Sequence, residues 1–236
     1  MTGACTLRHG ELRRGGRRVL GPAALELPQG AVVGLVGANG AGKTTLLMAL
    51  AGLLAHGGGQ AELHVAGERV QAAGYVAQQP RLPHWLRVDE VLALYGVQAA
   101  VAALQPPPAT LQPLLDRRAD SLSGGEVQLI AALAALAPDP PVLLLDEPLS
   151  SLDIPHRREL SRLIAARRGR PARLTVVSSH VSTELYDLCD WFVVIRGGAC
   201  VFSGSHADLL RTSADVAPGV GAREHFEEAV VALLTS

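Results

Sequence analysis

Apolar residues occur along this chain in short continuous runs that alternate with helical patterns. The runs Ala31–Val36, Val142–Leu145 and Leu174–Ser178 are rich in Val and Leu and predict buried strands. Helical patterns at Glu126–Leu136 and Ile154–Arg168 precede the second and third of these runs. This alternation predicts a sheet of parallel strands joined by crossover helices.

The N-terminal part has a different pattern, which predicts antiparallel strands. Glu11–Arg14 and Arg17–Leu20 flank Gly15-Gly16, a pair that is typical of a two-residue hairpin turn. Its four arginines are predicted to be solvated at the hairpin tip; the alternative is that Arg14 or a neighbour lies over the base of a bound nucleotide. Two further strands and the turn between them are predicted at Ala61–Val65, Ala73–Ala77 and Gly67-Glu68.

Two more helical segments lie outside the predicted sheet. Val88–Leu104 has a helical pattern that ends before Pro106-Pro107-Pro108, which no helix can traverse. Glu224–Leu234 predicts a short amphipathic helix after the loose stretch Thr212–Ala222. We therefore expect one domain over residues 1–236, with a helical subdomain at approximately 80–122 and a C-terminal tail and helix at 212–236.

Between the first apolar run and the helix after it lies Gly37–Thr44, which fits the phosphate-loop pattern G-x-x-x-x-G-K-[ST]. Glycines let backbone N–H groups turn toward a phosphate, and the helix N-terminus adds partial positive charge. Lys43 is expected to reach the β- and γ-phosphates, and the Thr44 hydroxyl to coordinate Mg²⁺. The predicted nucleotide-binding residues are Gly37, Ala38, Asn39, Gly40, Ala41, Gly42, Lys43, Thr44 and Thr45.

Composition narrows the classes of partner. The formal net charge of -1 gives no bulk electrostatic attraction to nucleic acid or to an anionic membrane. The best candidate for a membrane span, Leu129–Ala137, is cut short by Pro138 and Asp139, and Met1–Ala4 is followed by no signal-peptide core. The three cysteines share no metal-like spacing, which predicts reduced thiols. We expect a soluble, cytosolic protein.

Two further motifs point to phosphoryl chemistry. Asp146 and Glu147 end an apolar strand, and ligands of parallel sheets bind at the carboxyl ends of strands. One carboxylate can hold the Mg²⁺ shell while the next faces an attacking water. Ser123 and Glu126 have capping-box spacing, and Gly124-Gly125 leave N–H groups open for a second anion contact.

The run Leu122-Ser123-Gly124-Gly125-Glu126 resembles the signature of the ATP-binding subunits of ABC transporters. Tyr75–Gln78 resembles the Q-loop of that family, which implies that Gln78 is a Mg²⁺ ligand. Ser150–Asp153 resembles the D-loop, and His180 occupies the place of the switch histidine that contacts the γ-phosphate. The resemblance extends over residues 5–210 and implies that Glu147 activates water while Asp146 binds Mg²⁺ through water.

The resemblance also implies a fold, cofactors and partners. The fold is α/β, a P-loop NTPase with a mainly parallel sheet core, an N-terminal antiparallel β subdomain and a small helical subdomain. ATP and Mg²⁺ are expected, together with an integral membrane permease and no nucleic acid. Ser123, Gly124 and Gly125 are expected to act on ATP bound by a second copy of the subunit. The protein is then cytoplasmic and peripherally associated with the inner face of the cell membrane.

Three functional classes compete: a transporter ATPase, a soluble ABC ATPase of DNA repair or translation, and a regulatory module without turnover. The segment between Gln78 and Leu122 is too short to hold the long coiled coil that DNA-repair members insert before the signature. Glu147 and His180 argue against a module without turnover. For a transporter, Glu224–Leu234 and Glu184–Asp190 favour export, and import of a metal or cofactor is the alternative. The sequence departs from the family in lacking an aromatic residue between residues 12 and 18, which predicts loose base selectivity.

Overall fold

A computed structural model describes residues 4–54, 58–212 and 221–235 of the chain. Its central sheet has six strands in the order β12-β11-β5-β10-β9-β8. In chain order these are β5 (Val32–Val36), β8 (Gly74–Val76), β9 (Val142–Leu145), β10 (Leu174–Ser179), β11 (Trp191–Arg196) and β12 (Ala199–Ser205). All neighbouring pairs are parallel except β11 with β12. The predicted parallel core is confirmed.

The register of the parallel strands brings their carboxyl ends together. Ser179 of β10 lies beside Val36 of β5, and Val177 lies beside Leu145 of β9. The phosphate loop, the Asp146-Glu147 pair and His180 each follow one of these three strands. The three motifs therefore share one edge of the sheet, where α/β proteins bind ligands.

A second, antiparallel sheet lies in the N-terminal half, with strand order β4-β1-β6-β7. Its strands are β1 (Ala4–His9), β4 (Ala23–Pro28), β6 (Ala61–Val65) and β7 (Glu68–Arg69). The predicted arginine hairpin is β2 (Leu12–Arg14) with β3 (Arg17–Leu20), which pair only with each other. The strands predicted at Ala61–Val65 and Ala73–Ala77 are present as β6 and β8, but the turn at Gly67-Glu68 does not join them directly. β6 pairs with β7 through a turn that ends before Glu68, whereas β8 joins the parallel sheet.

Helices cover the parallel sheet because its strands are buried on both faces. These helices are α1 (Lys43–Leu50), α4 (Gly124–Leu136) and α5 (Ile154–Ala165). One apolar cluster joins α4 and α5 to the sheet, with Leu129, Leu133 and Leu160 fully buried. A second cluster packs α1 and the antiparallel sheet on the parallel strands.

The segment between β8 and α4 contains α2 (Val88–Leu94), α3 (Gln98–Ala102) and two 3₁₀ turns (Gln112–Leu114 and Ala119–Ser121). The single helix predicted over Val88–Leu104 is therefore wrong. Gly96 has φ +69° directly after the last turn of α2, a left-handed conformation that ends a helix. Val97 at the N-cap of α3 and Val101 within it then pack against the main core.

The last helices pack beside the antiparallel edge of the central sheet. They are α6 (Ser182–Leu185), α7 (His206–Arg211) and α8 (Ala222–Thr235). The C-terminal helix predicted at Glu224–Leu234 lies within α8, and most of the loose stretch predicted before it, 213–220, lies outside the described residues. In the described part of the chain, none of the helices combines the length and apolar character that crossing a bilayer requires.

Candidate nucleotide-binding site

The phosphate loop connects β5 to α1, and two of its glycines are required by close packing. Gly42 has φ +111° at the N-cap of α1, and a Cβ there would lie 2.8 Å from Leu20 Cγ. A Cβ on Gly37 would lie 2.6 Å from the carbonyl oxygen of Ile195 in β11. Only glycine fits at such positions without displacing a neighbour. The hairpin and β11 thus hold the loop from two sides.

Lys43 lies at the start of α1 and is buried, with its side chain 5% exposed. Its Nζ donates hydrogen bonds to Gly37 O at 2.6 Å and to Ala38 O at 3.3 Å. The same Nζ lies 3.6 Å from Glu147 Oε1. Burial lowers the pKa of Lys43, against the opposing attraction of Glu147. A buried ammonium group at this position is suited to bind an anion that enters the loop.

Asp146 and Glu147 follow β9 and are joined through a hydroxyl group on the neighbouring strand. Ser178 Oγ donates to Asp146 Oδ1 at 2.6 Å and accepts a hydrogen bond from Glu147 N at 2.9 Å. Asp146 and Ser178 are fully buried. Glu147 has φ +48°, which is uncommon for a residue with a side chain. The hydrogen bond from Glu147 N helps to hold this backbone in place.

The Glu147 carboxylate is the meeting point of the predicted catalytic residues. Besides Lys43, it contacts His180 Nδ1 at 3.0 Å and accepts a hydrogen bond from Gln78 Nε2 at 3.2 Å, both through Oε2. Glu147 is 7% exposed, whereas the His180 side chain is 41% exposed. Residues from three separate segments therefore converge on one carboxylate. This arrangement can orient a water molecule and accept its proton.

A cavity of about 900 Å³ opens above this cluster and extends along the phosphate loop to the arginine hairpin. Its phosphate-loop side is lined by residues 38–45, with Gln78 and Glu147. The rest of its lining is formed by Arg14, Arg17, Arg18, Val19, Ile195, Arg196, Gly197, Gly198 and Leu234. Both dimensions and charge suit an elongated anion such as a nucleoside triphosphate.

The arginine hairpin supplies cations that are not neutralised by neighbouring carboxylates. Arg13 and Arg18 form ion pairs with Glu11. Arg14 and Arg17 line the cavity, and within the described residues neither lies in an ion pair. No aromatic side chain is among the residues that line this cavity in the described ranges. The part of the cavity lining outside the phosphate loop, Gln78 and Glu147 is therefore cationic and partly apolar.

The glycine-rich signature lies away from the cavity of its own chain. Ser123 caps α4 as predicted: its Oγ accepts from Glu126 N at 3.2 Å, and Ser123 N donates to Glu126 Oε2 at 2.7 Å. Although burial acts to raise it, hydrogen bonds from Ser123 and Arg117 hold the pKa of Glu126 below its usual value. None of Ser123, Gly124 and Gly125 lines the cavity. A Cβ on Gly125 would lie 2.5 Å from Ser151 O, so the signature packs on the predicted D-loop.

The possible metal ligands near the phosphate loop suit a magnesium ion that also binds phosphate oxygens. Asp146 Oδ2 is buried and has no hydrogen-bond partner in the described part of the protein. Thr44 supplies a hydroxyl group and Gln78 an amide from the same cavity wall. Magnesium prefers oxygen ligands and keeps several waters or phosphate oxygens. No cluster of three or more His, Cys, Asp or Glu suited to a metal occurs among the described residues.

Two parts of the site do not follow from the sequence motifs. Ser178 lies inside the motif that indicates only His180, although a hydroxyl group at the end of a buried strand is itself a signal. The wall formed by β11, the turn after it and Leu234 was missed because the strands β11 and β12 were not predicted. Gly197-Gly198 joins these strands with φ +55° and +78°, and this pair is the signal that could have revealed them.

The fold and the loop define a P-loop nucleotide-binding domain. The family model described as "ABC transporter" matches residues 20–150, and the chain belongs to this family. A solved structure titled as the ATP-binding subunit of an ABC transporter has a TM-score of 0.77 at 24% identity, covering 94% of this chain and 98% of its own. A dimeric ATP-binding cassette bound to ADP and Pi has a TM-score of 0.68 at 19% identity, covering 84% of this chain and 98% of its own. These likenesses confirm the expected fold.

Three curated relatives are named as import ATP-binding proteins. A sulfate/thiosulfate import protein of Vibrio cholerae is 34% identical over 77% of this chain and 53% of its own length. An Fe(3+) ions import protein of Rhodococcus jostii is 31% identical over 86% and 62%. A molybdenum import protein of Brucella suis is 37% identical over 77% and 55%. The chain thus spans 53 to 62% of the length of these relatives, and their names do not favour the export expected from the C-terminal helix.

Proposed function

We propose that this chain binds ATP with Mg²⁺ and hydrolyses it as the ATP-binding subunit of an ABC transporter. The observation that carries this proposal is the convergence of Lys43, Gln78 and His180 on the Glu147 carboxylate beside the phosphate loop. Hydrolysis of a phosphoanhydride requires positioning and charge neutralisation more than covalent chemistry. Each of these four side chains has one of those two tasks.

Lys43 leaves its contact with Glu147 for the β- and γ-phosphates, and the backbone N–H groups of residues 38–43 bind the phosphate oxygens. Mg²⁺, held by Thr44, Gln78 and, through water, Asp146, would neutralise phosphate charge. The Glu147 carboxylate then orients a water molecule toward the γ-phosphorus and accepts its proton as the new P–O bond forms. His180 donates a hydrogen bond to the γ-phosphate, and ADP is the leaving group.

The position of the signature supports a two-copy mechanism. Ser123, Gly124 and Gly125 form a capped helix start with exposed or half-buried backbone, away from the cavity of their own chain. We propose that they bind the γ-phosphate of ATP held by a second copy, so that two complete sites form only in a dimer. Closure on ATP and reopening after hydrolysis would then drive a membrane permease that associates with the subunit.

The proposed direction of transport is import, which was the alternative and not the first expectation from sequence. The support is that relatives at 31 to 37% identity are named as import proteins for sulfate or thiosulfate, Fe(3+) ions and molybdenum. A solute-binding protein encoded beside this gene would agree with import, and a lone six-helix permease with export.

Two measurements test the proposal. Purified protein should release phosphate from ATP only with Mg²⁺, and Lys43→Ala should abolish ATP binding and turnover. In cells that lack the gene, uptake of labelled sulfate, molybdate and ferric iron should be compared with cells that carry the wild type or Glu147→Gln. Restored uptake of one solute by the wild type alone supports import. Faster loss of a preloaded solute with the wild type would show export instead.

A further inference from the structure

The C-terminal helix α8 is anchored firmly to the core at its beginning. Phe226 is fully buried and packs edge-on against Phe192 of β11 and Tyr186, with ring centroids 4.8 and 5.2 Å apart. Arg223 Nη2 donates to Thr183 O at 2.9 Å, and its guanidinium lies 5.9 Å from the centre of the Tyr186 ring. Such aromatic and cationic contacts fix the direction of the helix.

The far end of α8 is tied to the wall of the nucleotide cavity. Arg196, the last residue of β11, donates from Nη1 to Leu233 O at 2.8 Å. The Leu233 carbonyl in the last turn of α8 thus receives its hydrogen bond from β11. The Ile195 carbonyl of the same strand packs on Gly37 of the phosphate loop. The next residue, Leu234, lines the cavity together with Arg196.

The cavity is lined by two kinds of residue. Residues 38–45 offer backbone N–H groups and Lys43, which bind phosphates. A nucleotide with its phosphates there extends its base into the rest of the cavity, where Leu234, Val19 and Ile195 supply branched apolar side chains beside the three hairpin arginines. A base is flat and apolar on both faces, so it packs against such side chains when no aromatic ring lines the cavity.

We propose that Leu234 contacts the base of the bound nucleotide, so that the last turn of α8 is part of the nucleotide-binding site. The proposal rests on the proposed function, because it takes the ligand to be a nucleoside triphosphate. It adds a specific role for the C-terminal helix: α8, held by Phe226 and Arg196, positions Leu234 before the nucleotide binds. The contact is apolar, so it strengthens binding of purine nucleotides without distinguishing adenine from guanine.

The test compares ligands with and without a base by isothermal titration calorimetry in the presence of Mg²⁺. Leu234→Ser should raise the Kd for ATP and for GTP about fivefold, the loss expected for removing buried methyl groups. The same variant should bind inorganic tripolyphosphate like the wild type.

Val231→Ser is the matched control, because Val231 is on the same helix, is 51% exposed and does not line the cavity. It should bind all three ligands like the wild type. Equal ATP affinity in Leu234→Ser and the wild type would overturn the proposal, as would parallel weakening of ATP and tripolyphosphate. Failure of the wild type to bind ATP, or unchanged binding in Lys43→Ala, would instead contradict the proposed function.

Discussion

The Ser178 hydroxyl donates a hydrogen bond of 2.6 Å to Asp146 Oδ1 on the neighbouring strand. The parallel register of β9 and β10 brings the two residues side by side, since Val177 lies beside Leu145 and each is followed directly by one member of the pair. Because the same Oγ accepts from Glu147 N, one buried hydroxyl group fixes both residues of the carboxylate pair. Ser178 is therefore a positioning residue of the candidate site.

Replacing this hydroxyl group should affect turnover more than ATP binding. In Ser178→Ala, Asp146 Oδ1 loses its buried donor and the Glu147 amide loses its acceptor, which should cost about 1–3 kcal/mol of unfolding free energy. We expect kcat for ATP hydrolysis to fall about tenfold, because Glu147 is held less precisely, while KM stays within about twofold. Steady-state kinetics and thermal unfolding of the same preparations measure both effects.

Ser179→Ala is the control for this variant. Ser179 Oγ bonds to Glu184 and to Val181 N, and not to either carboxylate of the pair. A hydroxyl group is lost in each case, but only Ser178→Ala should lower kcat at a temperature where both proteins are folded. If the two variants retain the same kcat, Ser178 has only a structural role.

The main elements were predictable where a local pattern and the tertiary environment agree. Val142–Leu145 is buried on both faces and was predicted with its observed bounds. The order of the strands was not predictable, because no local feature of Leu174–Ser179 indicates that β10 lies between β5 and β9. The contact between Ser178 and Asp146 depends on that order. The position of Leu234 likewise depends on the packing of Phe226, far from the phosphate loop in sequence.

Glu147→Gln should separate ATP binding from hydrolysis. The amide keeps the size of the side chain but cannot accept a proton from water, so we expect kcat to fall by two or more decades, about 3 kcal/mol of transition-state stabilisation. ATP affinity should remain, and size-exclusion chromatography with ATP should show a stable dimer. Glu228→Gln, an exposed change on α8, is the control. Turnover like that of the wild type would remove Glu147 from the catalytic role.

The cationic hairpin should bind nucleotides with little discrimination between bases. Arg14 lines the cavity and has no ion-pair partner in the described residues, whereas Arg13 is paired with Glu11 and does not line it. We expect the wild type to bind ATP and GTP within about tenfold, or 1.4 kcal/mol. Arg14→Ala should weaken both by a similar factor of about three to ten, since a guanidinium stacks on either purine.

Competition binding with a fluorescent nucleotide measures these affinities, and Arg13→Ala is the control that should leave them unchanged. A preference for ATP of more than about a hundredfold, or 2.7 kcal/mol, would mean that a hydrogen-bonding group reads the base edge. If the two arginine variants weaken nucleotide binding equally, the effect comes from the overall charge of the hairpin and not from a contact of Arg14.

The signature should act on the nucleotide of the other copy. Ser123 is exposed at the start of α4 and is absent from the cavity lining, so Ser123→Arg should leave ATP binding by its own chain nearly intact. An arginine side chain there is large and charged, so it should block the nucleotide site that the signature forms with the phosphate loop of the other copy. Hydrolysis should then be abolished. Ser121→Arg, an equal change at an exposed residue two positions earlier, should keep most of the activity.

Mixing Ser123→Arg with Lys43→Ala protein, each inactive alone, should restore part of the activity. The mixed dimer retains one intact site, built from the wild-type phosphate loop of the first variant and the wild-type signature of the second. Activity should depend on total protein concentration, because only the dimer turns over. Full activity of Ser123→Arg alone, at a rate per subunit that does not change on dilution, would show that Ser123 serves only to cap α4.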